Sequence, residues 1–306
     1  MIRVGPAGWS YPDSPGHVYP ASVPSRFDAL SFLARYFDTI EVNSTFYRPQ
    51  PARTYASWAK RVAPNPAFRF TVKLWQLFTH EQRGERAGAG AGGEWTADDV
   101  RTVTEGLEVL RGEGRLGALL AQFPWSFKPD AAGKAHLQRV VEAFRDWPLA
   151  VEVRHARWGR PENLGFLKDL GVGFTNLDQP VIGESLPPTA HATGPVGYVR
   201  FHGRNYEHWF AEHEETFQRY DYLYTAAELA PWVERIKQLG ATDGVTDVYV
   251  ISNNHYEGKG PTNALMIRSM LEGRRLKAPP VLFRTYRAAL EPYAEPGEEP
   301  GDPSLF

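Results

Sequence analysis

Charged and polar side chains recur at alternate positions where several short apolar segments of this sequence end. They are Glu41 and Asn43, Thr71 and Lys73, Glu152 and Arg154, and Arg200, His202 and Arg204. Because successive side chains of a β-strand point to opposite faces, the members of each group are expected to share one face. Burying such groups is costly unless they pair with each other or bind a ligand. Guanidinium, carboxylate and imidazole groups at one centre could bind an anion and transfer protons.

The cations among these groups outnumber the carboxylates by four to two, although Asp178 would lower the excess by one. The cations are Lys73, Arg154, Arg200 and Arg204, and the carboxylates are Glu41 and Glu152. An excess of guanidinium groups in a concave site is suited to a carboxylate or phosphate ligand, so the predicted partner is a small anion. In the alternative interpretation the groups only satisfy one another, with the two glutamates pairing Lys73 and Arg154 to make the site rigid.

Four of these residues are candidates for catalysis. They are Glu41, Lys73, Glu152 and His202, and the ligand-binding candidates of the same pattern are Asn43, Arg154, Arg200 and Arg204. A histidine beside two arginines is expected to have a lowered pKa, to be neutral, and so to act as a general base. A strand lysine is most simply an anion ligand, and it could also form a Schiff base if it is desolvated.

The stretch YVISNNHYEGKGPTNA, residues 249–264, adds polar groups at the end of the last apolar run. Asn253 and Asn254 are predicted to place their amides against an anion held by the arginines of the preceding strand. The following turn brings Lys259 and the N-terminus of a helix near the same place, which is a recurrent phosphate site in barrel proteins. In the alternative interpretation the two asparagines only cap the strand, because asparagine commonly forms turns.

Short apolar runs alternate with amphipathic helical stretches, which is typical of a parallel sheet built from βα units. Strands are predicted at residues 2–7, 39–42, 69–73, 117–123, 149–153, 172–176, 198–201 and 247–251. Helices are predicted near residues 26–37, 53–62, 97–111, 131–145, 162–170, 226–239 and 262–272. Eight strands without a GxGxxG turn or a P-loop favour a TIM-type (β/α)8 barrel. Only the sixth connection, residues 177–195, lacks a helical pattern, so the sixth helix is predicted to be missing or irregular.

The barrel is predicted to be a single domain over residues 1–290, followed by a C-terminal surface extension over residues 291–306. The segment GERAGAGAGGEW, residues 84–95, is low in complexity and is predicted to be a surface excursion after the third strand. Capping-box spacing marks three helix starts, at Ser25 with Asp28, Thr96 with Asp99, and Thr225 with Glu228. Active sites of barrels lie at the C-terminal ends of the strands, which is where the polar groups fall.

The composition excludes several classes of protein. The 306 residues carry a formal net charge of -2 and include no cysteine, so disulfides, thiolate metal sites and cysteine nucleophiles are excluded. The charge provides no field to gather nucleic acid, and no apolar run approaches the roughly 18 residues of a membrane span. The N-terminus has no signal-peptide pattern. We therefore expect a cytoplasmic protein without nucleic-acid or membrane partners, and the sequence assigns no metal, no cofactor and no oligomeric state.

Three other functions could use the same residues. The first is a metal-dependent hydrolase or isomerase of the group that includes endonuclease IV and xylose isomerase. Its ligands would come from His80, His155, His202, His255, Glu41, Glu152 and Asp178. However, the sequence contains no HxH or HExxH ligand pair. A glycosidase would use Glu41 and Glu152 as acid and nucleophile, but neighbouring cations are expected to lower both pKa values. A non-catalytic binding or sensing barrel would use the arginine cluster without turnover.

Aromatic residues follow the strands at the same end of the predicted barrel. They are Trp9, Tyr47, Trp75, Trp125, Trp158, Tyr206 and Tyr256. About half of such residues are expected only to pack against other side chains. Trp9 and Tyr47 are the candidates for a wall of the ligand site.

Eight motifs in order along the chain identify a known family. They are GPAGWSYPDSPGHVYP (5–20), YFDTIEVNSTFYRPQ (36–50), FTVKLWQLFTH (70–80), AQFPWSF (121–127), VEVRH (151–155), YVRFHGRN (198–205), RYDYLY (219–224) and YVISNNHYEGKGPTNA (249–264). On these motifs the chain resembles the YecE-like family, domain of unknown function 72. The resemblance implies a TIM-type barrel and an intracellular protein, and it implies no known reaction.

The resemblance also indicates positions that the family shares. They are Trp9, Glu41, Asn43, Phe46, Tyr47, Lys73, His80, Gln122, Pro124, Glu152, Arg154, Arg200, His202, Gly203, Arg204, Tyr222, Asn253 and Asn254. Gln122 and His80 join the ligand-binding candidates on this ground alone. One departure is Ser14, where the family more often has an aromatic residue, so an aromatic wall at the first loop is not expected.

Overall fold

The computed structural model describes residues 1–23, 27–81, 94–207 and 216–298. Most of the low-complexity segment after the third strand lies outside this part of the chain, so the surface excursion predicted there stays a prediction. Within the described ranges, no helix combines the length and the apolar character that crossing a bilayer requires.

Eight parallel strands form a nearly closed barrel, which confirms the predicted fold class. They are β1 (Ile2–Pro6), β2 (Thr39–Val42), β3 (Arg69–Lys73), β4 (Leu116–Gln122), β5 (Leu149–Glu152), β6 (Gly173–Asp178), β7 (Val196–Phe201) and β8 (Asp247–Ser252). Each strand from β2 to β8 pairs with its neighbour in sequence, and β8 pairs with β1. Between β1 and β2 there is one bridge, in which the Gly8 N–H donates to the Glu41 carbonyl over 2.8 Å.

A glycine permits the close approach of β1 to β2. A Cβ atom at Gly5 would lie 1.9 Å from the carbonyl oxygen of Thr39, so no other residue fits there without moving the strand. The missing side chain at Gly5 therefore lets β1 and β2 lie close together although they share only one bridge.

Helices cover the outer face of the barrel. They are α1 (Ala29–Leu33), α2 (Ser44–Tyr47), α3 (Ala52–Arg61), α4 (Ala97–Gly112), α5 (Ala131–Ala143), α6 (Pro161–Asp169), α7 (Ala226–Gly240), α8 (Lys259–Glu272), α9 (Pro280–Thr285) and α10 (Arg287–Leu290). The connection from β6 to β7 is fully described and contains no helix, as predicted.

Two of the three predicted capping boxes start helices as expected. The Thr96 hydroxyl accepts from the N–H of Asp99 at the start of α4, and the Asp99 carboxylate accepts from the N–H of Thr96. Thr225 and Glu228 do the same for α7. Ser25, of the third predicted box, lies outside the described residues. The first helix is shorter than predicted because it begins only after Asp28, whose carboxylate caps α1.

The strands separate two apolar layers. The lumen contains Ala7, Ala118, Leu120, Ala150, Val196, Tyr198, Tyr249 and Ile251. Side chains at the alternate positions, such as Val72, Val151 and Phe201, pack in the larger core between strands and helices. Burying one such side chain stabilises the fold by about 1.5–3 kcal/mol. Turning a strand over would lose this burial, so the alternate apolar residues fix which side chains of the strand face the lumen.

The C-terminal segment packs on the barrel for part of its length. Strands β9 (Leu276–Ala278) and β10 (Ala294–Pro296) pair in a second, two-stranded parallel sheet, and Ala294 is fully buried. The surface extension predicted from residue 291 therefore begins with a paired strand. The division of the chain at residue 290 stays a prediction.

Candidate functional site

Polar side chains from six strands form a ring at the C-terminal end of the barrel, next to the apolar lumen. The members of this polar ring are Glu41, Lys73, Gln122, Glu152, Arg154, Arg200, His202 and Asn253. Glu152 stands two residues after Ala150, and Arg200 stands two residues after Tyr198, both of which are lumen residues. The alternation predicted from the sequence thus brings these groups to one centre.

Arg200 joins the two carboxylates of the ring. Its Nη2 donates to Glu41 Oε1 and its Nη1 donates to Glu152 Oε2, each over 2.6 Å, while Nη1 also donates to Gln122 Oε1 over 3.1 Å. Burial would lower the pKa of Arg200, but Glu152 and Glu41 raise it, so the buried guanidinium stays charged. The residue predicted to hold a ligand therefore has only its Nε without a partner among the described residues.

Glu152 is the most heavily shared acceptor of the ring. Its Oε1 accepts from Arg154 Nε over 3.0 Å and from Arg154 Nη2 over 2.9 Å, and it lies 3.3 Å from His202 Nε2. Burial would raise the pKa of Glu152, but Arg200, His202 and Arg154 together hold it well below its usual range. Glu152 is therefore a buried carboxylate that stays ionised, as the sequence predicted from its cationic neighbours.

His202 is neutral, as predicted, but it is not arranged as a free base. Burial, helped by Arg200 and Arg154, lowers its pKa to about 3 against the opposing effect of Glu152. The amide nitrogen of Asn253 lies 3.1 Å from Nδ1, and because that nitrogen donates, Nδ1 accepts and the ring proton is on Nε2 facing Glu152. Both ring nitrogens are thus used inside the protein, and the geometry favours an orienting role over the predicted general base.

Glu41 pairs with Arg200 and with Tyr198, a residue that was not among the predicted site residues. The Tyr198 hydroxyl donates to Glu41 Oε2 over 2.8 Å, and both residues are fully buried. Burial, followed by the charge of Glu41, raises the pKa of Tyr198 well above its ordinary value, so it stays protonated. Tyr198 lies two residues before Arg200, so the two-residue period of β7 places both side chains on the lumen face.

Lys73 differs from the other ring cations because no described carboxylate lies within ion-pair distance of its amine. Its Nζ lies 4.1 Å from the centre of the Phe46 ring, and the side chain is partly exposed. Burial and then the charge of Arg200 lower the pKa of Lys73 from 10.5 to about 7, and the glutamates only partly oppose this. The pairing of Glu41 with Lys73, considered in the alternative interpretation, is not formed.

Replacing Lys73 with methionine is expected to raise the free energy of unfolding at about pH 6 by about 1–3 kcal/mol, allowing for partial exposure. The folded pKa is depressed, so the wild-type protein regains stability as pH rises from about 7 toward 10.5. The advantage of K73M should therefore shrink by about pH 9. Urea unfolding at both pH values, with the exposed Lys60→Met as control, measures this. Equal stability of K73M and wild type at acidic pH would contradict a desolvated amine.

Only two of the three nitrogens of the Arg154 guanidinium donate to Glu152. Nε and Nη2 both donate to one oxygen of Glu152, and none of the described residues accepts a hydrogen bond from Nη1. The side chain is 20% exposed, whereas Glu152 is fully buried. Arg154 therefore presents a guanidinium edge toward the barrel mouth while its other edge is fixed.

Arg204 does not belong to the polar ring, so its predicted place beside Arg200 is wrong. Gly203 has φ +92°, which breaks the alternation of β7 and turns the next side chain away from the lumen. Arg204 donates to both oxygens of Asp178, over 2.8 and 2.6 Å, and to Glu228 over 3.4 Å. Asp178 also accepts from the Trp232 indole over 2.6 Å, in the core between strands and helices.

The two asparagines of the stretch 249–264, Asn253 and Asn254, have different partners. Asn253 contacts His202 in the ring, whereas Asn254 is fully buried and donates to the Tyr222 carbonyl over 2.7 Å and to Asn263 Oδ1 over 2.8 Å. This arrangement favours the capping interpretation for Asn254. Lys259 forms ion pairs with Asp221 and Glu257 in the following turn.

The remaining candidates lie around the mouth or in the helix layer. Trp9 packs against Trp58 and Phe70, with ring centres 5.6 and 6.4 Å apart, so it belongs to the outer core. Tyr47 is 69% exposed and lies edge-on to Phe46. Asn43 donates to the Tyr11 hydroxyl over 3.3 Å. These positions place Tyr47 and Asn43, but not Trp9, near the mouth.

His80 and Phe46 lie next to Lys73. The ring centres of His80 and Phe46 are 5.1 Å apart, and burial, followed by Lys73 and Arg154, lowers the pKa of His80 to about 4. The sequence indicated Phe46 only through the family resemblance, and it indicated His80 through the resemblance and as a candidate metal ligand, because neither residue fits the alternation of a strand.

Comparison with known proteins identifies relatives over nearly the whole chain. A family model described as "Protein of unknown function DUF72" matches residues 3–284. The UPF0759 protein YunF of Bacillus subtilis (strain 168) is 31% identical over 281 residues, which cover 89% of this chain and 95% of that protein.

Two solved structures share the architecture. A DUF72 family protein from Thermotoga maritima MSB8 is 34% identical with a TM-score of 0.73, covering 89% of this chain and 99% of that one. A DUF72 family protein from Enterococcus faecalis V583 is 26% identical with a TM-score of 0.75, covering 89% and 96%. Both similarities extend over the barrel that carries the polar ring.

Proposed function

This chain belongs to the DUF72 family of proteins of unknown function, and we propose that its barrel binds a small anionic metabolite and acts on it as an enzyme. The proposed site is the polar ring at the C-terminal ends of the strands. One observation carries the proposal: Lys73 and the Nη1 edge of Arg154 have no carboxylate partner among the described residues, while Glu41 and Glu152 are already bonded.

The charge of the ring supports an anionic ligand. Three cations, Lys73, Arg154 and Arg200, stand against two carboxylates, so the ring has an excess of one positive charge when the lysine is protonated. Buried charges are costly unless they are paired, and an incoming carboxylate or phosphate would supply the missing partner. Its binding would also favour the protonated amine, so affinity should fall as pH rises above the lysine pKa of about 7.

The state of Lys73 supports catalysis at this site. An amine with a pKa of about 7 is present in both protonation states at neutral pH, which is the condition for efficient proton transfer. Such perturbed groups cluster at functional sites. Arg200, Glu41 and Glu152 then form the rigid frame that positions Arg154, and none of the described carboxylates pairs with the amine.

The alternatives receive less support from this geometry. In the described ranges, no three histidine or acidic side chains lie together as a group that could hold a metal ion. A glycosidase needs one carboxylic acid with a raised pKa, and the pKa of Glu152 is lowered. A non-catalytic binding barrel would use the same ring and differs only in the absence of turnover.

The test is calorimetric titration with inorganic phosphate and L-lactate, using the neutral lactamide as the matched control. We expect saturable binding of at least one anion, no binding of the amide, and affinity that declines above about pH 7. Arg154→Gln should weaken binding about 10-fold or more, because a charge-assisted hydrogen bond contributes about 1.5–3 kcal/mol. The exposed Arg160→Gln is the matched control and should bind like the wild type.

Turnover is measured separately by mass spectrometry on a panel of carboxylate- and phosphate-bearing metabolites. Conversion that is lost in R154Q would support an enzyme. Binding without any conversion would favour the sensing barrel. Equal affinity of R154Q and wild type, or no binding of either anion, would contradict the site.

A further inference from the structure

We propose that Lys73 is a nucleophile that forms an imine with the carbonyl carbon of a 2-oxo acid. The inference rests on the proposed function and specifies its substrate class: the carboxylate would lie on Arg154 and the adjacent carbonyl would face the lysine amine. It also assigns the group that does the chemistry, which the binding of an anion alone does not require.

The surroundings of the amine favour nucleophilic attack. Lys73 ends β3 at the barrel mouth, and its Nζ lies over the face of Phe46 at 4.1 Å from the ring centre. The nearest ring carboxylates are occupied, since Glu41 bonds Arg200 and Tyr198 and Glu152 bonds two arginines. An amine that is held by a carboxylate stays protonated and unreactive, whereas this one has an apolar wall and cationic neighbours.

Arg154 supplies the second part of the recognition. Its fixed edge is bonded to Glu152, and its positive charge contributes to the lowered pKa of Lys73, so the two groups lie within electrostatic reach of each other. A guanidinium edge binds a carboxylate well. A ligand that satisfies both groups carries a carboxylate and an electrophilic carbon a short distance apart, which describes a 2-oxo acid.

The chemical step needs no other reagent. The lone pair of the amine attacks the carbonyl carbon, and one amine proton passes to the carbonyl oxygen to give a carbinolamine. The second N–H proton and the carbinolamine hydroxyl then leave as water, and a carbon–nitrogen double bond forms. Protonation of this imine makes its carbon open to attack and makes a C–H bond on the neighbouring carbon acidic, which is how lysine imines serve catalysis.

Imine formation at Lys73 is tested with the 2-oxo acids pyruvate and glyoxylate as probes and with sodium borohydride as the trap. Hydride adds to the imine carbon and leaves a stable secondary amine, which peptide mapping by mass spectrometry assigns to a residue. At about pH 7, about half of the molecules carry an unprotonated amine if its pKa is near 7. For an ordinary lysine the unprotonated fraction is about a thousand-fold smaller. We expect the adduct on Lys73 at least 10-fold above that on the exposed Lys60 and Lys168.

Three variants separate the outcomes. Lys73→Arg keeps a positive charge but has no primary amine, so the adduct at this position should be lost while those on Lys60 and Lys168 stay at the wild-type level. Phe46→Ala exposes the amine, so trapping at pH 7 should fall severalfold and recover at higher pH. Arg154→Gln should lower the trapping of pyruvate more than that of acetone, which has the carbonyl but no carboxylate.

The possible failures are distinguishable. If pyruvate and lactate bind but Lys73 is not modified above the exposed lysines, the imine is overturned and the anion site stands. If neither anion binds and no adduct forms, both the proposed function and the imine fail. Equal trapping of acetone and pyruvate would overturn the assignment of a 2-oxo acid.

Discussion

Replacing Arg200 with methionine is expected to lower the free energy of unfolding by about 3–5 kcal/mol, because it leaves Glu41 and Glu152 buried without their common cation. Both carboxylates are fully buried and accept from Arg200 over 2.6 Å. Urea unfolding at neutral pH measures the loss. The deficit should shrink toward about pH 4, because the unpaired carboxylates then take up protons more readily in the folded state than in the unfolded chain.

Two controls make this result specific. The exposed Arg101→Met should change stability by no more than about 0.5 kcal/mol. Adding Glu41→Gln and Glu152→Gln to the Arg200 variant should recover part of the loss, because neither side chain is then a buried carboxylate that has lost the Arg200 guanidinium. A single R200M variant that unfolds like the wild type at neutral pH would contradict the bridging role.

Replacing Asp178 with alanine is expected to cost a similar amount, about 3–5 kcal/mol, by removing the acceptor shared by three side chains. The carboxylate accepts two bonds from Arg204, over 2.8 and 2.6 Å, and one each from the Tyr224 hydroxyl and the Trp232 indole over 2.6 Å. Tyr224 and Trp232 are buried, so their donors would lose their partner without gaining water. Thermal and urea unfolding measure the effect.

The same variant distinguishes structural from ligand-binding charges. Asp178 and Arg204 lie outside the polar ring, so the folded fraction of D178A should bind lactate with the wild-type affinity. The exposed Asp243→Ala is the matched control and should leave stability nearly unchanged. Loss of lactate affinity in a fully folded D178A would return Arg204 to the binding site.

The carboxylates of the polar ring bind guanidinium groups and not the amine of Lys73. Arg200 fixes both Glu41 and Glu152, and Arg154 also bonds Glu152. Lys73 is thereby left without a described carboxylate partner and with a lowered pKa. The expected gain in stability of K73M is the counterpart of this arrangement, since functional groups are often held at the expense of stability.

The sequence predicted most of the fold and the membership of the ring. Eight apolar runs marked the eight strands, and the two-residue period put Glu41, Glu152 and Arg200 on the lumen face. This succeeded because burial of the alternate apolar residues fixes which face of a strand is inside. The same two-residue period also places Tyr198 on the lumen face, two residues before Arg200. A tyrosine in an apolar strand is usually a packing residue, so its type alone does not indicate the hydrogen bond to Glu41.

The pairing within the site was not available from the sequence. The alternation along the strands predicted four cations in one pocket, but Gly203 turns Arg204 to Asp178, because a single residue with positive φ is enough to end the alternation. Amino-acid types likewise could not distinguish Lys73 from Arg154 as the partner of Glu152, since partner choice depends on distances between strands far apart in the chain.

The sequence by itself therefore determined the barrel, the end at which its polar groups gather and the family to which the chain belongs, because these depend on local periodicity and on motifs along the chain. Only the tertiary structure decided which cations pair with the ring carboxylates and which amine has no carboxylate partner in the described part of the chain. Charges compete for partners in three dimensions, and the guanidinium groups of Arg154 and Arg200 occupy Glu41 and Glu152, the two carboxylates of the ring.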